Sequence, residues 1–305
     1  MHHAEGQTLN APSKISVRKR RLGYVFALLA IFIFSMQDGI SKHLGQSYPP
    51  VFITMIRYWA FAGFSVLLAS RLRGGLRATA KTNAPWLQVT RGALLAIEIV
   101  MAITCFAIIG LARTQAIFAA TPLIATLLSI IVLGERAGLI RWLAVLLGFA
   151  GVLVVIRPSG DFFEPVVLLA VLTSLMFAVY IVLTRLVSRV DPPMTSFFYT
   201  GVAGCVTISL IGPFFWTNLP PGDWAWMLLL CLTSVSSHYF LIKAYDILDA
   251  SAVQPLTYLS IVNASIMGTL LFDETITSTT FAGAVIIVSA GLMSIWSERR
   301  SSQQE

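Results

Sequence analysis

Ten apolar runs, each close to the length that crosses a bilayer, follow one another with almost nothing between them. They lie near 22–42, 51–71, 85–109, 112–133, 138–156, 163–187, 193–216, 223–245, 250–272 and 277–297. Lipid offers a peptide group no hydrogen-bond partner, so runs of this length have to satisfy their own backbone as helices. The expected fold is therefore all-α integral membrane, with ten transmembrane helices. The breaks carry turn-forming residues, as in Tyr48-Pro49-Pro50, Arg157-Pro158-Ser159-Gly160 and Pro220-Pro221-Gly222-Asp223. None of them is long enough to hold a soluble domain. Only 11% of the residues are charged, against about a quarter in soluble domains.

The net charge of +7 does not point to nucleic acid, because the basic residues sit mainly between apolar runs, as cytoplasmic loop anchors do. Residues 1–21 form a polar arm ending in Arg18-Lys19-Arg20-Arg21. The run after it is long and lacks a small-residue cleavage site, so it reads as a membrane helix and not as a cleaved signal peptide. With the arm in the cytoplasm, most Lys and Arg fall on that side, and Lys42, Arg113 and Arg157 are left outside. Both termini are then cytoplasmic.

The stretch from Gly110 to Glu135 recurs from Asp249 to Glu274. Aligning the two glutamates puts Leu111 on Ala250 and Leu133 on Phe272. The chain divides into an arm (1–21), a first five-helix unit (22–156), a second (157–297) and a cytoplasmic tail (298–305). An odd number of spans per unit makes the second enter from the opposite side. Two inverted five-helix repeats are a plan of secondary transporters, in which halves of opposite hand exchange conformations. Pro122 breaks its helix in the first unit; Ile261 stands at the matching place, so the second unit is expected to lack that break.

Charges at membrane depth are costly and mark cavities or partners. Glu98 lies mid-helix, and the repeat sets it opposite Ser237 and next to His238. Such a carboxylate and imidazole can hold substrate or carry a proton; an ion pair of Glu98 with Arg91 is the structural alternative. Asp38 and Lys42 are spaced to pair along one helix as a gate or clamp. Arg57 reads equally well as a site residue or as a buried structural cation. Three helical faces mix hydroxyl and aromatic groups: Ser234, Ser237, His238 and Tyr245; Thr173, Phe177, Tyr180 and Thr184; Gln254, Tyr258 and Ser265. They suit a shared cavity, or ordinary helix packing. Cys105, Cys205 and Cys231 lie in apolar runs and read as core, not as metal ligands. No nucleotide-binding loop, zinc-protease motif or nucleophile elbow is present. The expectation is no enzyme, no catalytic residue, no cofactor and no metal, with an integral membrane enzyme as the different-class alternative.

Gln37 to Lys42, the Pro50 and Arg57 pair, Leu111-Ala112-Arg113-Thr114-Gln115-Ala116 with its Leu133-Gly134-Glu135 exit, and Gly148-Phe149-Ala150-Gly151-Val152 together resemble the drug/metabolite transporter superfamily, EamA-like type. The resemblance runs from about Leu22 to Trp296. It implies alternating-access transport of a small molecule, and within the superfamily the chain is most similar to bacterial amino-acid exporters, including the one for aromatic amino acids. The implied partners are an amino acid and membrane lipids, with proton exchange as one energy source and no nucleic acid. The alternative is a larger metabolite or drug: S-adenosylmethionine, riboflavin or a cationic compound. On this reading Gln37, Tyr58, Glu98, Tyr180, Ser237, His238, Tyr245 and Tyr258 bind substrate. Asp38, Lys42, Arg57 and Arg91 are gating or structural charges, and Pro122 is the helix break.

Overall fold

The computed structural model describes residues 17–133, 138–156, 165–245, 247–248, 253 and 256–301. Among them the regular elements are all helical: α1 (Val17–Gly45), α2 (Pro50–Arg71), the short α3 (Gly75–Thr79), α4 (Pro85–Ile109), α5 (Leu111–Phe118), α6 (Thr121–Leu133), α7 (Leu139–Ile156), α8 (Pro165–Val187), α9 (Pro193–Ile211), α10 (Pro221–Tyr245), α11 (Leu259–Phe272) and α12 (Ser278–Ser301). Proline opens α2, α4, α8, α9 and α10. At the first helical position its missing N–H has no intrahelical partner to lose and its fixed φ already suits the helix.

Eight stretches are long and apolar enough to cross a membrane, with α5 and α6 counted as one broken span, and Trp142–Ile156 and Leu259–Phe272 are shorter apolar helices. At a rise of 1.5 Å per residue α11 reaches about 21 Å, short of a hydrocarbon core of about 30 Å. Among the described residues, eight of the ten expected spans are matched by stretches long enough to cross, and at the other two places the apolar helices are shorter.

The break in the first unit falls at Ala119–Ala120, and Pro122 sits in the first turn of α6, where it strands no donor. The expectation of an unbroken partner does not hold. Tyr258 lies in a turn just before α11, and the Ile261 N–H reaches back only three residues, to the Tyr258 carbonyl at 3.2 Å. The turn at Tyr258 stands at the place that matches Ala119, so the break recurs without a proline following it.

α1 packs on α10, α8 on α4, α9 on both α2 and α4, α11 on α1 and α5, α6 on α8, and α7 on α12. Close approaches are built on missing side chains. A Cβ at Gly151 would stand 2.7 Å from Ile287, and one at Gly283 would stand 2.7 Å from the Gly151 carbonyl. The glycines of α7 therefore serve a contact within the chain. Apolar side chains such as Leu146, Phe149, Leu270 and Phe281 project outward, where lipid would meet them. Many hydroxyls bond back to their own helix, for example Thr54 to the Pro50 carbonyl at 2.8 Å and Thr173 to that of Leu169 at 2.7 Å. Such bonds satisfy the hydroxyl inside an apolar surrounding.

Candidate functional site

Arg57, two turns into α2, is the centre of the buried polar residues between the two units. Its Nε donates to Ser234 Oγ on α10 at 3.0 Å. Its Nη2 and Nη1 lie 2.8 and 3.3 Å from the Gln37 amide oxygen on α1, with the amide turned to face the guanidinium. One turn past Ser234, His238 sets Nδ1 2.8 Å from the Ser234 carbonyl. The rings of Phe34, Phe61 and Phe197 surround that imidazole, with centroids 5.0, 4.9 and 6.4 Å away. Arg57, Tyr58, Phe61, Leu95, Ile99, Ser234 and His238 line a cavity of about 10 Å³, room for roughly one water. The site is shut in this conformation.

The Asp38 and Glu98 carboxylates act electrostatically on Arg57 from α1 and α4. Asp38 accepts from Gln115 Nε2 at 2.7 Å. Among the described residues no ion pair or hydrogen bond reaches Glu98, which is only 7% exposed. Two carboxylates and one guanidinium therefore share a low-dielectric space without direct pairing.

Two further clusters lie toward opposite ends of the helices. At the end holding the α1 C-terminus, Lys42 forms a salt bridge with Glu274, not with Asp38 as its spacing suggested. Asp38 lies one turn deeper and turns to Gln115, while Glu274 also accepts from the Leu111 and Ala112 N–H groups at 2.8 and 3.1 Å. At the other end Arg91, 1% exposed, donates to the Tyr180 hydroxyl at 3.0 Å, Thr184 Oγ1 at 3.3 Å, Gln88 Oε1 at 3.0 Å and the Ser196 carbonyl. The Arg91–Glu98 ion pair does not form; seven residues of helix hold the two groups apart, and Arg91 turns toward α8 and α9. Gln88 in turn donates to Asp191 at 2.9 Å, which also takes Thr82 Oγ1 and the Asn83 N–H. Burial pushes the Asp191 carboxyl up, but these hydrogen bonds together outweigh it and hold its pKa below the ordinary 3.8.

The expected binding residues thus separate. Gln37, Tyr58 and His238 gather at Arg57, with Glu98 coupled to it. Tyr180 belongs with Arg91. Ser237 is fully buried and donates to its own helix at Ser234 O, 3.0 Å away. Tyr258 packs against α12, where a Cβ on Gly291 would fall 1.6 Å from its hydroxyl oxygen. The Tyr245 side chain lies outside the described residues, as do Glu135 and Gln254. Gln88 and Asp191 were not singled out as site residues from the sequence; Gln115 entered only within the Leu111–Ala116 motif and Ser234 only as one member of a hydroxyl face. Lys42 and Glu274 carried a usable signal: both fall on the same side of the membrane in the sequence-based topology.

The EamA-like transporter family model matches the chain twice, over residues 21–157 and 164–296. An S-adenosylmethionine uptake transporter of Rickettsia prowazekii is 28% identical over 92% of this chain and 94% of its own length. A riboflavin transporter of Rhizobium johnstonii is 27% identical over 93% and 94%, and a pseudopaline exporter of Pseudomonas aeruginosa is 27% identical over 88% and 94%. A solved crystal structure, 16% identical, superposes with a TM-score of 0.63 over 92% of this chain and 98% of that one, which speaks to the fold alone. The superfamily resemblance holds, and this chain is a membrane protein of the EamA-like transporter family.

Proposed function

We propose that the chain is a secondary transporter for a metabolite larger than a simple amino acid, cationic overall and carrying an aromatic group, of the S-adenosylmethionine class. The carrying observation is the shut cluster around Arg57. One guanidinium lies within electrostatic reach of two carboxylates, Asp38 and Glu98, beside an aromatic wall of Phe34, Phe61 and Phe197. A substrate carboxylate suits Arg57, an ammonium or sulfonium suits Glu98, and a flat ring suits the wall. The excess of carboxylates favours a ligand with net positive charge, as a sulfonium amino acid has. The named relatives support this alternative over export of aromatic or other neutral amino acids. Glu98, with no hydrogen-bond partner among the described residues, is also the group best suited to take up a proton in exchange.

The architecture in this reading is ten spans in two inverted halves, with both termini cytoplasmic and the protein in a bacterial-type inner membrane. Two observations support it. The family model matches twice in succession. Exchanging the halves carries several packed pairs onto one another: α1 on α10 answers to α8 on α4, α11 on α1 answers to α6 on α8, and α2 on α9 and α7 on α12 answer to themselves, whereas α1 on α4 has no such answer among the described residues. Alternating access then follows from a rocking of one half on the other around the Arg57 cluster.

Counterflow in proteoliposomes tests the reading. Vesicles loaded with unlabelled S-adenosylmethionine are expected to accumulate the labelled compound transiently, and Glu98→Gln is expected to slow this about tenfold or more, the loss of one buried charge contact. An imposed pH gradient tests the proton. Accumulation of labelled phenylalanine with none of S-adenosylmethionine would overturn the substrate class and restore the amino-acid reading.

A further inference from the structure

Glu274 stands just past the end of α11, and the backbone aims it back across the helix end. Asp273 adopts φ 52°, and the Glu274 N–H donates to the Gly268 carbonyl at 3.0 Å. The carboxylate thereby reaches three donors on two other helices: Lys42 of α1, and the Leu111 and Ala112 N–H groups in the first turn of α5. Two glycines make the room. A Cβ at Gly110, whose φ is +90°, would lie 2.8 Å from Glu274 Oε1, and one at Gly268 would lie 2.6 Å from Oε2. Helices from both units are fastened at this one carboxylate.

The same carboxylate borders a vestibule of about 400 Å³, shared with Arg113, Thr275, Thr277 and Thr280. The Glu274 side chain is 15% exposed and that of Lys42 only 5%. A molecule in the vestibule therefore meets the carboxylate while the lysine stays covered. Opening the pair unaided would strand two charges in a poorly solvated place, which is costly. Exchanging one cation for another keeps the carboxylate paired throughout. Lys42 has somewhere to go, since its Nζ already lies 4.3 Å from the Phe272 ring centroid, and its long stem can carry the ammonium to the interface.

We propose that Glu274 is a recognition site for a cationic group, ammonium or sulfonium, of a molecule in the vestibule, and that this group displaces Lys42 and so unfastens α11 from α1. The proposal rests on the transporter reading above. It makes the vestibule the first station of the path and gives the cluster at Arg57 a gate that responds to ligand charge.

The test uses Thr114→Cys, in a full chain whose native cysteines are replaced. The Thr114 hydroxyl is fully buried, unpartnered and one turn below the latch. Labelling by a membrane-impermeant thiol reagent is expected to be slow in the parent and about tenfold faster with S-adenosylmethionine, but unchanged with neutral 5′-deoxy-5′-methylthioadenosine. Glu274→Gln and Lys42→Met are expected to label fast with no ligand present and to lose the response. If Glu274→Gln does not fold, Glu274→Asp, which keeps the charge and shortens the reach, is expected to label fast. Slow labelling of these variants would overturn the latch. Equal acceleration by the neutral compound, or none by S-adenosylmethionine, would overturn the recognition site. Failed counterflow with fast-labelling variants would instead remove the substrate reading and leave the latch standing.

Discussion

The two ends of the helix bundle are each held by a carboxylate, and they hold differently. At one end Glu274 grips a formal cation, Lys42, together with two backbone N–H groups. At the other Asp191 gathers neutral donors from Thr82, Asn83 and Gln88, and Gln88 passes the connection to Arg91, Tyr180 and Ser196. An ion pair can be exchanged in one step by a competing ion. A branched net of hydrogen bonds, strung between one carboxylate and one guanidinium that do not touch, has to be undone bond by bond, and each donor left behind in a dry place costs free energy. The comparison implies that the Lys42 end is the one that yields to a charged ligand, while the Asp191 end resists until the whole net shifts.

Asp191→Ala is expected to produce the largest effect. It strands several donors at once and should lower the stability of the purified protein by about 3 kcal/mol, read from thermal unfolding in detergent. A loss no larger than that of an exposed substitution would erase the contrast between the ends. Gly110→Ala comes next. It forces a side chain onto a φ of +90° and against the Glu274 carboxylate, so a cost of about 1–3 kcal/mol and faster thiol labelling at position 114 are expected together. Stability loss without faster labelling would separate Gly110 from the latch.

The smallest effect expected is an acid dependence. The pKa of Asp191 is depressed in the folded state, so the unfolded chain binds more protons as pH falls past the ordinary value of 3.8. Its contribution is complete above that value and is lost as pH drops through the lower, folded one. Melting followed from about pH 5 to about pH 3 should therefore fall more steeply in the wild type than in Asp191→Asn, which cannot titrate there. Parallel curves would mean that the net does not need the charge.

Much of the fold was legible in the sequence because lipid leaves so few choices: every apolar run had to be a helix, and hydropathy marks where each begins and ends. The break before α6 announced itself through Pro122, whereas the one before α11 did not, because a turn at Tyr258 leaves no mark at Ile261. The site was harder. Spacing along one helix coupled Lys42 to Asp38, but the partner stands 232 residues away, and only the fold brings α11 to α1. Arg57 was noticed without its centrality, which depends on Gln37 and Ser234 arriving from two other helices. The hydroxyl faces overstated the cavity, since groups such as Ser237 and Thr173 are spent on their own backbone carbonyls. A periodic pattern reports which way a residue points and says nothing of whether its hydrogen bond is already used.

The seam between α7 and α12 has a mechanical meaning. Gly151 and Gly283 bring two backbones so near that an added methyl on Gly283 would press within 2.7 Å of a carbonyl oxygen and 3.0 Å of the Val155 nitrogen. A joint this tight resists sliding, so in the rocking proposed above the two halves would turn about it as about a hinge pin. Points far from the pin then sweep the widest arcs, and a wedge as thin as one methyl group, driven in at the pin, would be felt as ångströms at the far rim.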